Sequence, residues 1–341
     1  MRRFQLLLVF LLTVCTFSLI RPPKFTANLN LRHCTGNALD SSLPHPLECS
    51  FQQLTSMMNG SGKAKTIWKS LRRGENPLEL KPTVLSEKAK LILRSILCER
   101  PLVPTTVNLL TSSDCGTRKF LCDLEDGNRI ESVLIPSTKF DRTTLCVSTQ
   151  VGCDRGCIFC ATGKMGIQRN LTTCEILGQV YHGLKISRQS NMPNLTNIVF
   201  MGMGDAGRSI DAVGQAVNCL TDRDRFCFAQ SKVTVSTVGP SPEIFATLAG
   251  LPCGLAWSLH AARDDLRRKL VPSTRHSTIE LRDGLISALS TRRTIKQRTL
   301  MIAVTLVNGS IYTKLSFSCM HLHLFFVTYL AAKFIDPVIF Y

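Results

Sequence analysis

Between residues 143 and 307 five short apolar runs alternate with four helix-length ones, and this rhythm restricts the chain more than any other feature. TTLCVSTQ, TNIVFMGMG, KVTVSTVG, GLAWSLH and RTLMIAVTLV are rich in Val, Ile, Leu and Thr and predict strands. Between them CEILGQVYHGLKIS, SIDAVGQAVNCL, SPEIFATLAG and TIELRDGLISAL carry apolar residues at helical spacing. Repeated strand–helix–strand text implies a parallel sheet, open or closed, because parallel neighbours need a long crossover. Ligands in such sheets gather at the C-terminal strand ends. Those ends carry cysteines at 153–160, glycines and Asp205 at 202–205, Ser236 and Thr237, and Ser258 to His260.

The loop after the first strand reads VGCDRGCIFCATG, with Cys153, Cys157 and Cys160 spaced C-x3-C-x2-C. Fifteen cysteines spread over 341 residues do not resemble a small disulfide scaffold and fit a reduced compartment better. Structural zinc normally takes two pairs of ligands, and the nearest downstream histidine, His182, falls inside an expected helix. A thioredoxin-like pair would use Cys157 and Cys160 and leave Cys153 without a task. Three thiolates on a 4Fe-4S cluster use all three and leave one iron open to a cofactor. Gly152 and Gly156 let the backbone turn tightly around such a group.

Together with TLCVSTQVGC, the run NLTTCEILGQV, FMGMG, VTVSTVG, WSLHA and LVPS, this loop resembles the radical S-adenosylmethionine adenine-C2 RNA methyltransferase family, dual-specific for ribosomal and transfer RNA. The likeness runs from about residue 62 to 305. It implies an α/β fold, a partial (β/α)6-type radical SAM barrel with a small N-terminal helical/β appendage. It implies a 4Fe-4S cluster on Cys153, Cys157 and Cys160, whose open iron chelates S-adenosylmethionine. Electron transfer then cleaves that cofactor to a 5′-deoxyadenosyl radical, a reason for a radical catalyst at an unreactive aromatic C–H. Gly204 and Asp205, Ser236, Ser258, Leu259 and His260 fall on cofactor contacts. Glu131 falls on the proton acceptor, as suits a carboxylate, and Cys146 on the cysteine that resolves an enzyme–RNA adduct. The implied partners are ribosomal or transfer RNA and a reductant such as flavodoxin or ferredoxin.

Two departures stand out. The family's Gly-Met-Gly-Glu-Pro is GMGDAG here, so Asp205 reaches less far and Ala206 replaces a stiff proline. After LMIAVTLVNG the text turns apolar, and neither the sixth strand's asparagine nor the methyl-carrying cysteine of the family has a match; Cys319 lies in no matching context. Cluster and cofactor binding without complete methyl transfer is the expectation for that pattern. A non-catalytic RNA-binding remnant, another radical S-adenosylmethionine enzyme and a zinc-binding RNA module are the competing readings.

The rest of the chain divides into a leader and spacer at 1–45, an accessory RNA-binding domain at 46–140, the core at 141–308 and an apolar tail at 309–341. The accessory part predicts helices around TIWKSLRRG and LSEKAKLILRSIL, the latter capped by Ser86, then strands RKFLCDL and RIESVLIP about the turn at 125–128. Trp68 is expected in its core. A net charge of +17 suggests a polyanionic partner, with Arg72-Arg73, Arg267-Arg268-Lys269 and Arg292-Arg293 as phosphate-steering groups. Arg2 and Arg3 precede an apolar run to Ile20, and no Asp or Glu occurs before Asp40. That pattern suits organelle import, into chloroplast or mitochondrion, or a divergent leader on a cytoplasmic protein.

Overall fold

A computed structural model describes residues 44–98, 100–111, 116–292 and 300–305. The leader and the apolar tail with Cys319 lie outside the described residues. Helices α1 (Phe51–Met57), α2 (Ser61–Leu71) and α3 (Glu87–Leu97) open the chain. Ser50 and Gln53 form a capping box on α1, and the hydroxyl of Ser86 accepts from the N–H of Ala89 at the start of α3. Trp68 is fully buried, edge-on to Phe226 with ring centroids 5.5 Å apart, so it is core.

Strands β1 (Thr105–Thr111), β2 (Arg118–Leu124) and β3 (Arg129–Ser137) follow as an antiparallel meander. β3 then pairs antiparallel with β4 (Arg142–Cys146), the first strand of the parallel set. The parallel neighbours run on through β7 (Leu195–Phe200), β8 (Val233–Thr237), β9 (Gly254–Ser258) and β10 (Leu300–Ala303). The accessory strands and the parallel strands thus make one eight-stranded sheet. A separate hairpin, β5 (Gln150–Cys153) with β6 (Gly166–Asn170), rises after β4.

The crossovers are helices α4 (Thr173–Gln189), α5 (Ile210–Thr221), α6 (Glu243–Ala249), α7 (Asp264–Leu270) and α8 (Thr278–Ser290). The five expected strands and four expected helices are all present; α7, β1 and the β5–β6 hairpin were not anticipated. Val233, Val235, Leu255, Trp257 and Leu300 are almost wholly buried, as strands covered on both faces require. Among the described residues no helix is long and apolar enough to cross a membrane.

The sheet has an outer and an inner face that can be read from α4. A Cβ on Gly183 of α4 would lie 2.8 Å from Leu145 Cδ2, so Leu145 faces that helix. Leu134 lies opposite Leu145 and shares its face. Cys146, the next residue of β4, therefore faces inward, as do Val133 opposite it and Glu131 two residues earlier.

His182 of α4 is nowhere in this inner space. Its Nε2 lies 2.7 Å from Thr105 Oγ1 and 3.1 Å from the Thr105 carbonyl, which excludes it as a ligand beside the cysteines. Burial pushes its pKa down to about 4. Between pH 4 and 6.5 the unfolded chain takes up a proton at this ring that the folded chain does not, so stability rises with pH through that window. Acidification from pH 6.5 to 4 should cost on the order of 3 kcal/mol from this group alone. Denaturant midpoints measured across the window should show a shallower slope in His182→Gln than in the wild type.

Candidate functional site

The cysteine loop is held at three places. Its stem is the β5–β6 hairpin, where Cys153 ends β5 opposite Gly166. Its middle is fixed by the Ile158 N–H donating to the Leu270 carbonyl at the end of α7, at 3.1 Å. Its ring, Phe159, packs on His260 beyond β9 with centroids 4.7 Å apart. Cys153 and Cys157 are buried, and Cys160 is half-buried. The N–H of Arg155 donates to Cys153 Sγ at 3.4 Å. Burial pushes the Cys153 thiol up to about 11 and the Cys157 thiol up to about 12, and in both the fields of the neighbouring thiols and of Asp205 add to the rise.

Gly152 has φ +80°, and a Cβ there would overlap the carbonyl oxygen of Gly166 across the hairpin. The residue that lets the loop form is thus also the one that lets its two strands touch. Gly204 makes the matching close approach from β7: its φ is +96°, and a Cβ would lie 2.5 Å from Gln150 Cγ. The next N–H, of Asp205, donates to Gln150 Oε1 at 3.0 Å. Gln150 Nε2 in turn donates to Asn170 Oδ1 at 2.7 Å. The end of β7 is in this way tied to the base of the cysteine hairpin.

Asp205 is 4% exposed. Its Oδ1 accepts from the Gly207 N–H at 2.9 Å and its Oδ2 from the Val238 N–H at 3.2 Å, so it joins the ends of β7 and β8. Desolvation raises its pKa against those bonds and a further one from Thr237. Ser236 and Ser258, ending β8 and β9, stand Oγ to Oγ at 3.0 Å. His260 has φ +61°, its Nδ1 is 3.0 Å from Thr305 Oγ1, and burial pushes its pKa down to about 3, so the ring is neutral. The strand-end residues that sequence picked out therefore converge on the cysteine loop, which Phe159 and Gln150 tie to them.

A second group lies on the inner face of β2–β4. Glu131, 9% exposed, forms an ion pair with Lys119 of β2, Oε2 to Nζ at 3.1 Å. Ser148, just past β4, donates from Oγ to the Glu131 carbonyl at 2.7 Å and accepts the Met203 N–H at 2.9 Å. Its own N–H donates to Gln179 Oε1 at 2.8 Å. Cys146 is 3% exposed and diagonal to Glu131 in the register. Lys119 was missed in the sequence because its tie to Glu131 crosses two strands.

Three side chains assigned to phosphates point elsewhere. Arg267 and Arg292 are buried and donate to main-chain carbonyls. Arg72 donates to the carbonyls of Arg225 and Arg223. Arg73, Arg268 and Lys269 are exposed.

Among the described residues no three His, Cys, Asp or Glu side chains close around a single ion. An iron–sulfur cluster is a different kind of site, since each of its thiolates binds a separate iron.

A parallel sheet whose first strand leads into C-x3-C-x2-C, with the other strand ends converging on that loop, is the arrangement of radical S-adenosylmethionine enzymes. The crystal structure of such an enzyme from Sphaerobacter thermophilus matches with a TM-score of 0.66 at 33% identity, covering 77% of this chain and 76% of that one. No protein-family model matches. The dual-specificity RNA methyltransferase RlmN of Geotalea uraniireducens is 38% identical over 264 residues, 76% of this chain and 73% of its own length. A probable RlmN of Streptomyces coelicolor is 44% identical over 192 residues, covering 54% and 52%. The ribosomal RNA large subunit methyltransferase N of Nitrosopumilus maritimus is 41% identical over 180 residues, covering 51% of each. The chain belongs to the RlmN family of dual-specificity RNA methyltransferases.

Proposed function

We propose that this chain binds a 4Fe-4S cluster through Cys153, Cys157 and Cys160 and S-adenosylmethionine across Gly204, Asp205, Ser236, Ser258, Leu259 and His260, and that it methylates C2 of an adenosine in ribosomal or transfer RNA. The observation that carries this reading is the convergence of the β7, β8 and β9 ends on the cysteine loop through Gln150, Asp205 and the Phe159–His260 ring contact. When bound, the cluster supplies the one-electron reduction of S-adenosylmethionine that begins radical chemistry at an inert C–H. A low-potential donor such as flavodoxin or ferredoxin supplies the electron, in an organelle or the cytoplasm.

The chain's own residues do the rest. The hydroxyls of Ser236 and Ser258 and the neutral ring of His260 offer uncharged polar contacts for the cofactor at a dry strand end. Glu131 Oε2, beside Lys119 Nζ, is the group that takes up the proton leaving the base. Cys146 faces the same inner space as Glu131, the position that the resemblance gives to the cysteine resolving an enzyme–RNA adduct.

Anaerobic reconstitution tests the proposal in separable stages. Four irons per chain and 5′-deoxyadenosine are the expected results of cluster and cofactor binding, and 2-methyladenosine in an RNA substrate tests the methyl transfer itself, for which no cysteine of the sequence matches the family's methyl carrier. Glu131→Gln should keep the iron and lower the yield of 2-methyladenosine by about a hundredfold or more, the ordinary contribution of a general base. A chain that takes up no iron would sink the reading. Iron and deoxyadenosine without methyladenosine would reduce it to cluster and cofactor binding.

A further inference from the structure

Arg267 is one of the largest fully buried side chains, with 0% of its surface exposed. Its Nη1 donates to the carbonyls of Ser258, at 3.3 Å, and Leu259, and its Nη2 donates to the carbonyl of Val238. Its Nε is buried with no hydrogen-bond partner. Among the described residues no carboxylate forms an ion pair with it. A guanidinium held by neutral carbonyls and by the face of Trp257, 5.8 Å from its ring centroid, still carries a heavy desolvation cost, and burial pushes its pKa down to about 10.

The groups whose fields reach it are Cys157, charged only as a thiolate, then the carboxylates of Asp264 and Asp205. Asp264 is already engaged, its Oδ1 accepting from Thr278 N and Oγ1 at 2.7 and 2.6 Å. Asp205 accepts the two main-chain N–H groups described above. Cys157 remains, packed with Leu270, Val271, Ala261 and Phe159 against α7 itself. Arg292 is a useful contrast. It is buried too, but it donates to the carbonyls of Leu248 and Ala249, at the C-terminus of α6, and of Cys253. A helix C-terminus already carries partial negative charge, so Arg292 has its compensation built in.

We infer that Arg267 is the fixed counter-charge of the anionic iron–sulfur group bound through Cys157, a positioning residue that raises the cluster's reduction potential while tying it to the cofactor-facing end of β9. The inference rests on the proposed cluster. Reduction adds negative charge to the cluster, and a buried cation favours that added charge. Through Ser258 and Leu259 the same side chain holds the strand end on which the cofactor would rest.

The test is an anaerobic redox titration of the reconstituted protein, followed by electron paramagnetic resonance without S-adenosylmethionine or RNA. Wild type, Arg267→Met, Arg267→Gln, Arg267→Lys and Arg292→Met are compared, with iron content and apo-protein melting temperature measured for each. The two neutral replacements of Arg267 should lower the reduced-to-oxidised ratio at fixed poise about tenfold, a midpoint about 59 mV more negative for a one-electron couple. Arg267→Lys should recover most of that shift. The apo melting temperature of Arg267→Met separates a change in midpoint from a change in fold, since the carbonyls of Ser258, Leu259 and Val238 lose their donor in that variant. Arg292→Met should leave the midpoint in place. If Arg267→Met does not fold, Arg267→Gln reads out the same shift. Iron bound with an unchanged midpoint in the neutral variants, or an equal shift in Arg292→Met, overturns the inference alone. Absence of iron from the wild type removes the cluster reading and this inference with it.

Discussion

Cys157→Ala should abolish iron retention after reconstitution and, with it, all 5′-deoxyadenosine formation. Cys157 is 7% exposed and sits among Leu270, Val271 and Ala261, so an alanine fills its place with little loss of packing. The fold should therefore survive: far-ultraviolet circular dichroism and the apo melting temperature should stay near wild type while bound iron falls at least about tenfold. Two thiols cannot hold three corners of a cluster. Cys146→Ala is the matched control, a buried cysteine on the inner face of β4 that should leave iron content and deoxyadenosine formation intact and stop the reaction at the RNA. Iron retained at wild-type level in Cys157→Ala would remove this cysteine from the ligand set.

Gly152→Ala should be the most damaging single methyl in the described chain. A left-handed backbone costs an ordinary residue about 1–2 kcal/mol, and here the added Cβ also overlaps the Gly166 carbonyl. That carbonyl is main chain of β6, so relief requires the β5–β6 hairpin to open. The total should reach on the order of 3 kcal/mol or more, a fall in melting temperature of about 10 °C. The hairpin is the stem of the cysteine loop, so cluster uptake should fall with it. Gly127→Ala is the comparison, since its φ is +81° while a Cβ there would meet nothing within 4 Å. It should cost the backbone strain alone, and iron uptake should hold. Equal losses in the two variants would show that the clash with Gly166 contributes nothing.

The parts of this molecule that could be read from the sequence are those whose physics is local. The parallel strands are covered over much of both faces and so appear as short runs rich in Val, Ile, Leu and Thr, and Ser86 announces α3 by capping chemistry. The three cysteines and the polar strand ends were legible because spacing alone brings them to one edge of a parallel sheet. The hairpin β5–β6 was not, since QVGC and GIQRN show no alternation and pair across a register shift at Gly152. Helix α7 is seven residues of mostly charged text, DDLRRKL, and its burial of Arg267 contradicts the usual fate of a charge run. A signal was there: Arg267 precedes Leu270 by three, so both fall on one helical face. Lys119 and Glu131 meet through strand register, which no window of sequence contains.

The unbroken pairing from β2 through β3 into β4 has a mechanical consequence. Glu131 sits within this hydrogen-bonded frame, and the segment that leads from β4 into the cysteine hairpin is tied to it by Ser148 Oγ donating to the Glu131 carbonyl. A base bound for the carboxylate must travel to it, because the carboxylate has no hinge on which to move. Under the proposed function, a nucleotide reaches Glu131 by bending of the RNA strand and turning out of the base, so the cost of that distortion falls on the nucleic acid.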